Sequence, residues 1–208
     1  MKVEKRDGSY QNVSFDKILR RIQLLCTSSE FIKKLNIDPV LIAQKVCSEI
    51  YDKVKTSRLD ELTSETAISM YSKDPEYSIL ASRIVVSNHQ KSTKTKFSEV
   101  IQELYKNNII KEYLFEIVSK NSETIDRFID HSKDYNIDFF GFKTLQKSYL
   151  LKIDNDIVER PQYLFMRVAL CIHRDNLEKH LKHINIFLIK ILFMQLQLYL
   201  TLVQLENN

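Results

Sequence analysis

Glycine is nearly absent from this sequence, with two residues in 208; proline and cysteine are scarce, with three each. Cys26, Cys47 and Cys171 stand far apart with no C-x-x-C pair, which excludes a zinc site and a disulfide framework. Unpaired thiols suit a reducing compartment, so a cytoplasmic chain is expected. Cys26 and Cys47 fall within apolar helical patterns and are expected to be buried. The five histidines show no metal spacing; His180 and His183 are three apart, but no cysteine or carboxylate supports them. An excess of one charge is also missing. Lys and Arg number 31 against 27 Asp and Glu, a net +4, and without clustering on one face this gives no nucleic-acid footprint. The densest basic run, "NHQKSTKTKF" (88–97), reads as a solvated helix end. No apolar segment follows the charged start, so no signal peptide is expected. Nothing recurs at periods of about 20–50 residues, which argues against a solenoid.

What is present is helix. A hydrophobic content of 44% supports a core, and 28% charged residues favour a soluble chain. One of the two glycines lies in the opening stretch "VEKRDGSYQNVSFDKI" (3–18). Asp7-Gly8 is a strong hairpin dipeptide because glycine accepts positive φ. Two short strands are expected around it, the second with Tyr10, Val13 and Phe15. Asp16 fits a helix N-terminus, and a helix is predicted over 16–27. Lys5, Arg6 and Lys17 then converge near a helix entry with free backbone N–H groups, a place suited to polyphosphate. On spacing alone the same stretch fits an ordinary solvated hairpin.

Asp38 as N-cap and Pro39 at the first helical position open the next helix, with Val40, Ala43, Val46, Cys47 and Ile50 as its apolar stripe. A third helix is capped by Thr56 or Ser57 and carries Leu59, Leu62, Ala67 and Met70. Pro75 breaks the chain before a fourth helix with Ile79, Leu80, Ile84 and Val85 inward. A third strand has no clear place. Beyond residue 97, "FSEVIQELYKN", "IKEYLFEIVSK" and "SETIDRFIDHS" read as helices. "DFFGFKTLQKSYLL" reads as the second glycine followed by a helix, "LKIDNDIVERP" as a hairpin around Asp154-Asn155, and "RPQYLFMRVALCIH" as a helix opened by Pro161. The tail "INIFLIKILFMQLQLYLTLVQL" (184–205) has 16 apolar residues of 22 and one charge, Lys190. Its length could cross a bilayer, but it lacks flanking aromatic belts and a basic stop, so a membrane role is not expected.

"VEKRDGSYQNVSFDKILRRI", "TSRLDELTSETA" and "YSILASRIVVSNHQK" resemble the ATP-cone, the nucleotide-sensing domain of ribonucleotide reductases. That domain also occurs on a bacterial repressor carrying a zinc ribbon, whose cysteines are missing here. "FFGFKTLQKSYLLK" and "ERPQYLFMRVALCIH" resemble the first part of the class I reductase large subunit, so the resemblance covers roughly 1–178. It implies a mainly α fold: an ATP-cone over 1–95, a small β-hairpin or sheet on a four-helix bundle, then helical large-subunit sequence over 96–178. The family reduces ribonucleoside diphosphates with a thiyl radical, a redox cysteine pair and a radical-generating small subunit. ATP turns the enzyme on and dATP turns it off. By the resemblance Lys5, Arg6, Lys17 and Lys91 would hold the phosphates of ATP or dATP with Mg2+. Thr56 and Asp60 would lie near base and sugar, and Gln11, Asn12, Val13, Ser14, Phe15, Asp16 and Lys17 would line the pocket. Gln11 stands where many relatives carry an acidic residue. Four cations match the roughly four negative charges of a triphosphate, and Val3, Val13, Ile18 and Ile84 could wall adenine. Asp60 alone would also read as a first-turn carboxylate favoured by the helix dipole.

From about residue 179 the resemblance stops, leaving 179–208 as an unrelated tail. The segment "HATPTLFNAGT" expected next is missing, yet codons for "FMQLQLYLTLVQLENN" can be chosen that spell it in another frame. A frameshift is therefore expected near Lys179–Leu181. The barrel, radical cysteine and redox pair would then be missing, so the chain alone is expected to be catalytically inactive and to need no catalytic cofactor. The segment 97–178 is expected to expose apolar surface. Its partners would be adenine nucleotide and an intact large subunit. A free-standing regulatory module and a tail-anchored membrane protein are the alternative readings.

Overall fold

The computed structural model describes residues 1–27 and 33–173. Two compact units divide them: Met1–Lys91 with Asp138–Phe142, and Ser92–Ile137 with the residues from Lys143 onward.

The first unit opens on the expected hairpin. β1 (Lys2–Glu4) pairs antiparallel with β2 (Tyr10–Asn12), Val3 facing Gln11. Gly8 takes φ +79°, and the Asp7 carboxylate fixes the turn by accepting from Ser9 N at 2.9 Å and Ser9 Oγ at 2.6 Å. Those two bonds hold the Asp7 carboxyl below its ordinary range. The third strand is β3 (Val54–Lys55), which runs parallel to β1 to give the order β2-β1-β3. It is two residues long, too short for any alternation to show in the sequence. Lys53 feeds it with φ 63°, donating to Lys2 O at 2.8 Å, while Asp52 Oδ1 accepts from Lys2 N at 2.7 Å.

Four helices accompany the sheet: α1 (Phe15–Thr27) and α2 (Pro39–Glu49) between β2 and β3, and α3 (Thr56–Ser69) and α4 (Glu76–Ser92) after β3. Asp38 caps α2 as expected, accepting from Val40 N at 2.8 Å. Its buried stripe is Ile42, Ala43 and Val46, with Val40 and Cys47 only half-buried; Ile50 is buried too, but as the extended residue just past the helix. Cys26 is buried, and desolvation pushes its thiol up to about 11. The expected cap of α3 is corrected: Thr56 is already helical, and Lys55 occupies the cap position without a capping side chain. β3 runs directly into the helix, so Thr56 Oγ1 is not committed there.

α4 also departs from expectation. Leu80 through His89 are all buried, whereas Ile79 is exposed. A helix buried on every side has no polar face, so an amphipathic stripe could not describe it. Polar residues on it must be paired inside. Arg83 donates from Nη1 to Leu25 O at 2.8 Å, satisfying a carbonyl at the end of α1, and from Nη2 to Lys33 O at 2.5 Å, beyond the helix. His89 meets the Phe142 ring edge-on at 5.4 Å. Thus "NHQK" is only in part a solvated end: Asn88 and His89 are interior.

In the second unit, α5 (Phe97–Lys106), α6 (Glu112–Lys120), α7 (Ser122–Phe128) and α9 (Pro161–His173) surround a core that includes Phe97, Ile101, Leu104, Val118, Ile125, Tyr163 and Met166. A 3-10 turn (His131–Asn136) follows α7. The third expected helix, 122–132, therefore ends early. α5 has no cap of its own; Asp126 on α7 accepts from Ser98 N at 3.0 Å and Ser98 Oγ at 2.6 Å. α8 (Phe139–Ser148) contains Gly141 rather than following it. The hairpin β4 (Lys152–Ile153) and β5 (Asp156–Ile157) turns at Asp154 and Asn155, both with positive φ. Glu159 is fully buried, accepting from Leu151 N at 3.1 Å and gripped by Arg167 through Nε at 2.7 Å and Nη2 at 3.1 Å. Arg160 fastens Thr93, donating to its Oγ1 at 2.8 Å and its carbonyl at 2.9 Å. Among the described residues no helix is long and apolar enough to cross a membrane. The apolar tail lies outside the described residues.

Two substitutions test this architecture. A Cβ at Gly8 meets nothing within 4 Å, so Gly8→Ala is opposed by the backbone alone and should cost about 1–2 kcal/mol. Gly8→Asn should cost less, read by urea denaturation. Arg167→Met removes the guanidinium from the buried Glu159 carboxylate and should cost about 3–5 kcal/mol, seen as a lowered thermal midpoint.

Candidate functional site

A cavity of about 490 Å3 opens where the hairpin, the entry of α1, the start of α3 and the end of α4 meet. Two helical faces build most of it. From α1 and its approach come Ser14, Lys17, Ile18, Arg21 and Ile22, spaced i, i+3, i+4, i+7 and i+8. From α3 come Thr56, Leu59, Asp60 and Thr63, spaced i, i+3, i+4 and i+7. The hairpin adds Val3, Lys5, Arg6, Asp7, Gln11, Asn12 and Val13, and α4 adds Lys91. Ten of the twelve residues singled out from sequence therefore line one cavity. Phe15 and Asp16 do not. They occupy the positions between Ser14 and Lys17 on the first turn of α1 and are exposed. The expected adenine wall is corrected at one position: Val3, Val13 and Ile18 line the cavity, but Ile84 lies in the interior of α4, and Ile22 and Leu59 are the further apolar walls.

The lining holds five cations, Lys5, Arg6, Lys17, Arg21 and Lys91, against two carboxylates, Asp7 and Asp60. Three of the five meet at Asp60, whose side chain is 13% exposed. Arg21 Nε stands 3.5 Å from Oδ1, while Arg6 Nη2 and Lys91 Nζ each stand 3.7 Å from Oδ2. These are loose pairs by the standard of charge-assisted hydrogen bonds at about 2.7–2.9 Å. Two of the cations are tied back to α4. Arg6 Nη2 donates to Asn88 Oδ1, and Asn88 Nδ2 donates to Ser57 O at 3.2 Å. Arg21 Nη2 donates to Ser87 Oγ at 2.8 Å. Partial burial draws the Lys91 ammonium below the ordinary lysine range; Asp60 opposes this, while Arg21 and Arg6 add to it. A site with surplus positive charge, apolar walls and a half-neutralised cluster is built to receive an anion with an apolar body. Among the described residues no cluster of His, Cys, Asp and Glu could hold a metal ion.

Arg21 was missed by the sequence reading. Its signal was available: it lies four residues past Lys17 and three past Ile18, on the same face.

Residues 1–92 match the family model for the ATP cone domain. The first part of the chain is an ATP-cone match, and a ribonucleotide reductase match follows it. Residues 135–201 match the model for the ribonucleotide reductase all-alpha domain. That match runs past residue 179, where the sequence reading places its boundary. The chain is 45% identical over 187 residues to the ribonucleoside-diphosphate reductase large subunit of Arabidopsis thaliana, covering 86% of this chain and 22% of the relative. It is 46% identical over 187 residues to that of Dictyostelium discoideum, with the same coverage. It is 44% identical over 195 residues to that of Variola virus, covering 89% of this chain and 25% of the relative. The chain thus spans about a fifth to a quarter of the length of these relatives.

The electrostatics of the cluster predict a specific response. Asp60→Asn removes the contribution that holds the Lys91 pKa up, leaving burial and the two arginines. The Lys91 pKa should fall further, read as a titration midpoint at lower pH by NMR of lysine-labelled protein.

Proposed function

We propose that this cavity binds ATP or dATP, with Mg2+, and that the chain senses adenine nucleotide for a ribonucleotide reductase large subunit. The observation that carries this is the convergence of five cations from the hairpin, α1 and α4 on one apolar-walled cavity. In this reading Lys5, Arg6, Lys17 and Lys91 hold the phosphates. Thr56 and Asp60 face sugar and base, and Val3, Val13, Ile18, Ile22 and Leu59 exclude water from adenine. Gln11, Asn12, Val13 and Ser14 shape the rim. Phe15 and Asp16, exposed on the first turn of α1, are assigned an indirect part. A cavity of this size lies within the usual range of about 300–1,000 Å3 for small ligands.

The chain's part in the family's reaction is regulatory. Cys26 is buried, Cys47 half-buried and Cys171 exposed on a different unit. A single thiol does not supply the two electrons of a dithiol, so the chain alone is expected to be inactive in reducing ribonucleoside diphosphates. The partner that gives its signal an output is an intact large subunit. The three free thiols fit a cytoplasmic setting. The division into 1–95, 96–178 and 179–208 belongs to this proposal.

Calorimetric titration of ATP and dATP into the full chain tests it. Micromolar binding is expected, weakened at least about tenfold by Lys5→Ala and by Arg6→Ala, in line with about 1.5–3 kcal/mol for a hydrogen bond to a charged group. Absence of binding by a folded chain contradicts it. Phosphate beside Lys91 favours the ammonium and raises a pKa that starts low. Binding should therefore take up protons between the free-state and bound-state pKa of Lys91, and weaken as pH rises through the free-state pKa. Titrations in buffers of different ionisation enthalpy read that uptake.

A further inference from the structure

We propose that Arg21 is a positioning residue: anchored on Ser87, it fixes the plane of the Asp60 carboxylate so that one oxygen is held and the other faces the phosphate-side cations. The inference rests on the nucleotide reading of the cavity. Its basis is how the two carboxylate oxygens are shared. Oδ1 faces Arg21 alone among the three cations, and Oδ2 faces both Arg6 and Lys91. An Asp side chain turns freely about its last torsion unless its oxygens are distinguished. Here the distinction comes from one guanidinium whose other end is fixed. Arg21 Nη2 donates to Ser87 Oγ at 2.8 Å, and Ser87 sits on the helix that is buried all round. A planar fork can bridge two acceptors at a set spacing; an ammonium of the same charge lacks that geometry.

The consequence is a division of labour. With the carboxylate plane set by Arg21, Oδ1 stays on the sugar and base side, its 3.5 Å contact leaving it able to accept from the nucleoside, while Oδ2 is shared by Arg6 and Lys91. If Arg21 is removed, the carboxylate turns and closes bidentately on Arg6, the arrangement that guanidinium and carboxylate prefer. The nucleoside then loses its oriented acceptor, and Arg6 is drawn from the phosphates only partly, because Lys5, Lys17 and Lys91 remain. Arg21 therefore acts on recognition of the nucleoside more than on recognition of the phosphate chain.

The test compares ATP with inorganic tripolyphosphate, each titrated into the full chain, for wild type, Arg21→Lys and Ser87→Ala. Arg21→Lys keeps the charge and loses the fork. Ser87 does not line the cavity, so contact with ligand does not explain any effect of its removal. In both variants the ATP dissociation constant should rise at least about fivefold, equivalent to about 1 kcal/mol, while that for tripolyphosphate stays within about twofold of wild type. Parallel weakening of both ligands overturns the inference and makes Arg21 a phosphate ligand. Wild-type affinity for ATP in Ser87→Ala overturns it as well, and this variant decides should Arg21→Lys fail to fold. Wild-type protein that binds neither ligand removes the nucleotide reading and this inference with it; wild type that binds both while the variants match it removes the inference alone.

Discussion

One carboxylate makes this cavity possible. Arg6 comes from the hairpin, Arg21 from α1 and Lys91 from α4, and each brings a positive charge to the same few ångströms. Without an opposite charge between them the three elements would repel where the fold requires them to meet. Asp60 supplies that charge from the second turn of α3. Its neutralisation is incomplete, and its contacts are long, so the cluster holds together yet keeps an unmet demand for negative charge. The same feature serves the fold and leaves a place for an anion.

α4 is the frame on which this cluster hangs. From Leu80 to His89 it is enclosed, so its polar side chains must find partners inside the first unit. Arg83 turns them toward the end of α1, and Ser87 and Asn88 turn them toward the cavity. The hydrogen bonds that satisfy a buried helix thereby become the supports of the site. That coupling gives the regulatory reading a physical footing: a ligand that draws on Arg6 and Lys91 acts on groups tethered to, or borne by, the central helix of the unit.

The hairpin, the helices and most of the lining were legible because each has a local signature. Asp7-Gly8 needs its turn, Asp38 and Pro39 open a helix, and Ser14, Lys17 and Ile18 fall at helical spacing. What was not legible came from tertiary context. β3 is two residues long and exists because β1 offers it a parallel edge. Thr56 reads as a cap until a strand is known to run straight into its helix. Ile79 and Ile84 look alike in a stripe, but enclosure of α4 buries one with its polar neighbours and leaves the other outside. Arg21 was in register with its neighbours on α1, but only the position of Asp60 across the cavity gives it a role.

The most direct measurement is a crystal structure of the full chain grown with saturating ATP. The account predicts density for one nucleotide in the cavity, its phosphates among Lys5, Arg6, Lys17 and Lys91, and its base against Val13, Ile18 and Leu59. An empty cavity in such crystals, or a nucleotide seated elsewhere on the chain, would contradict it.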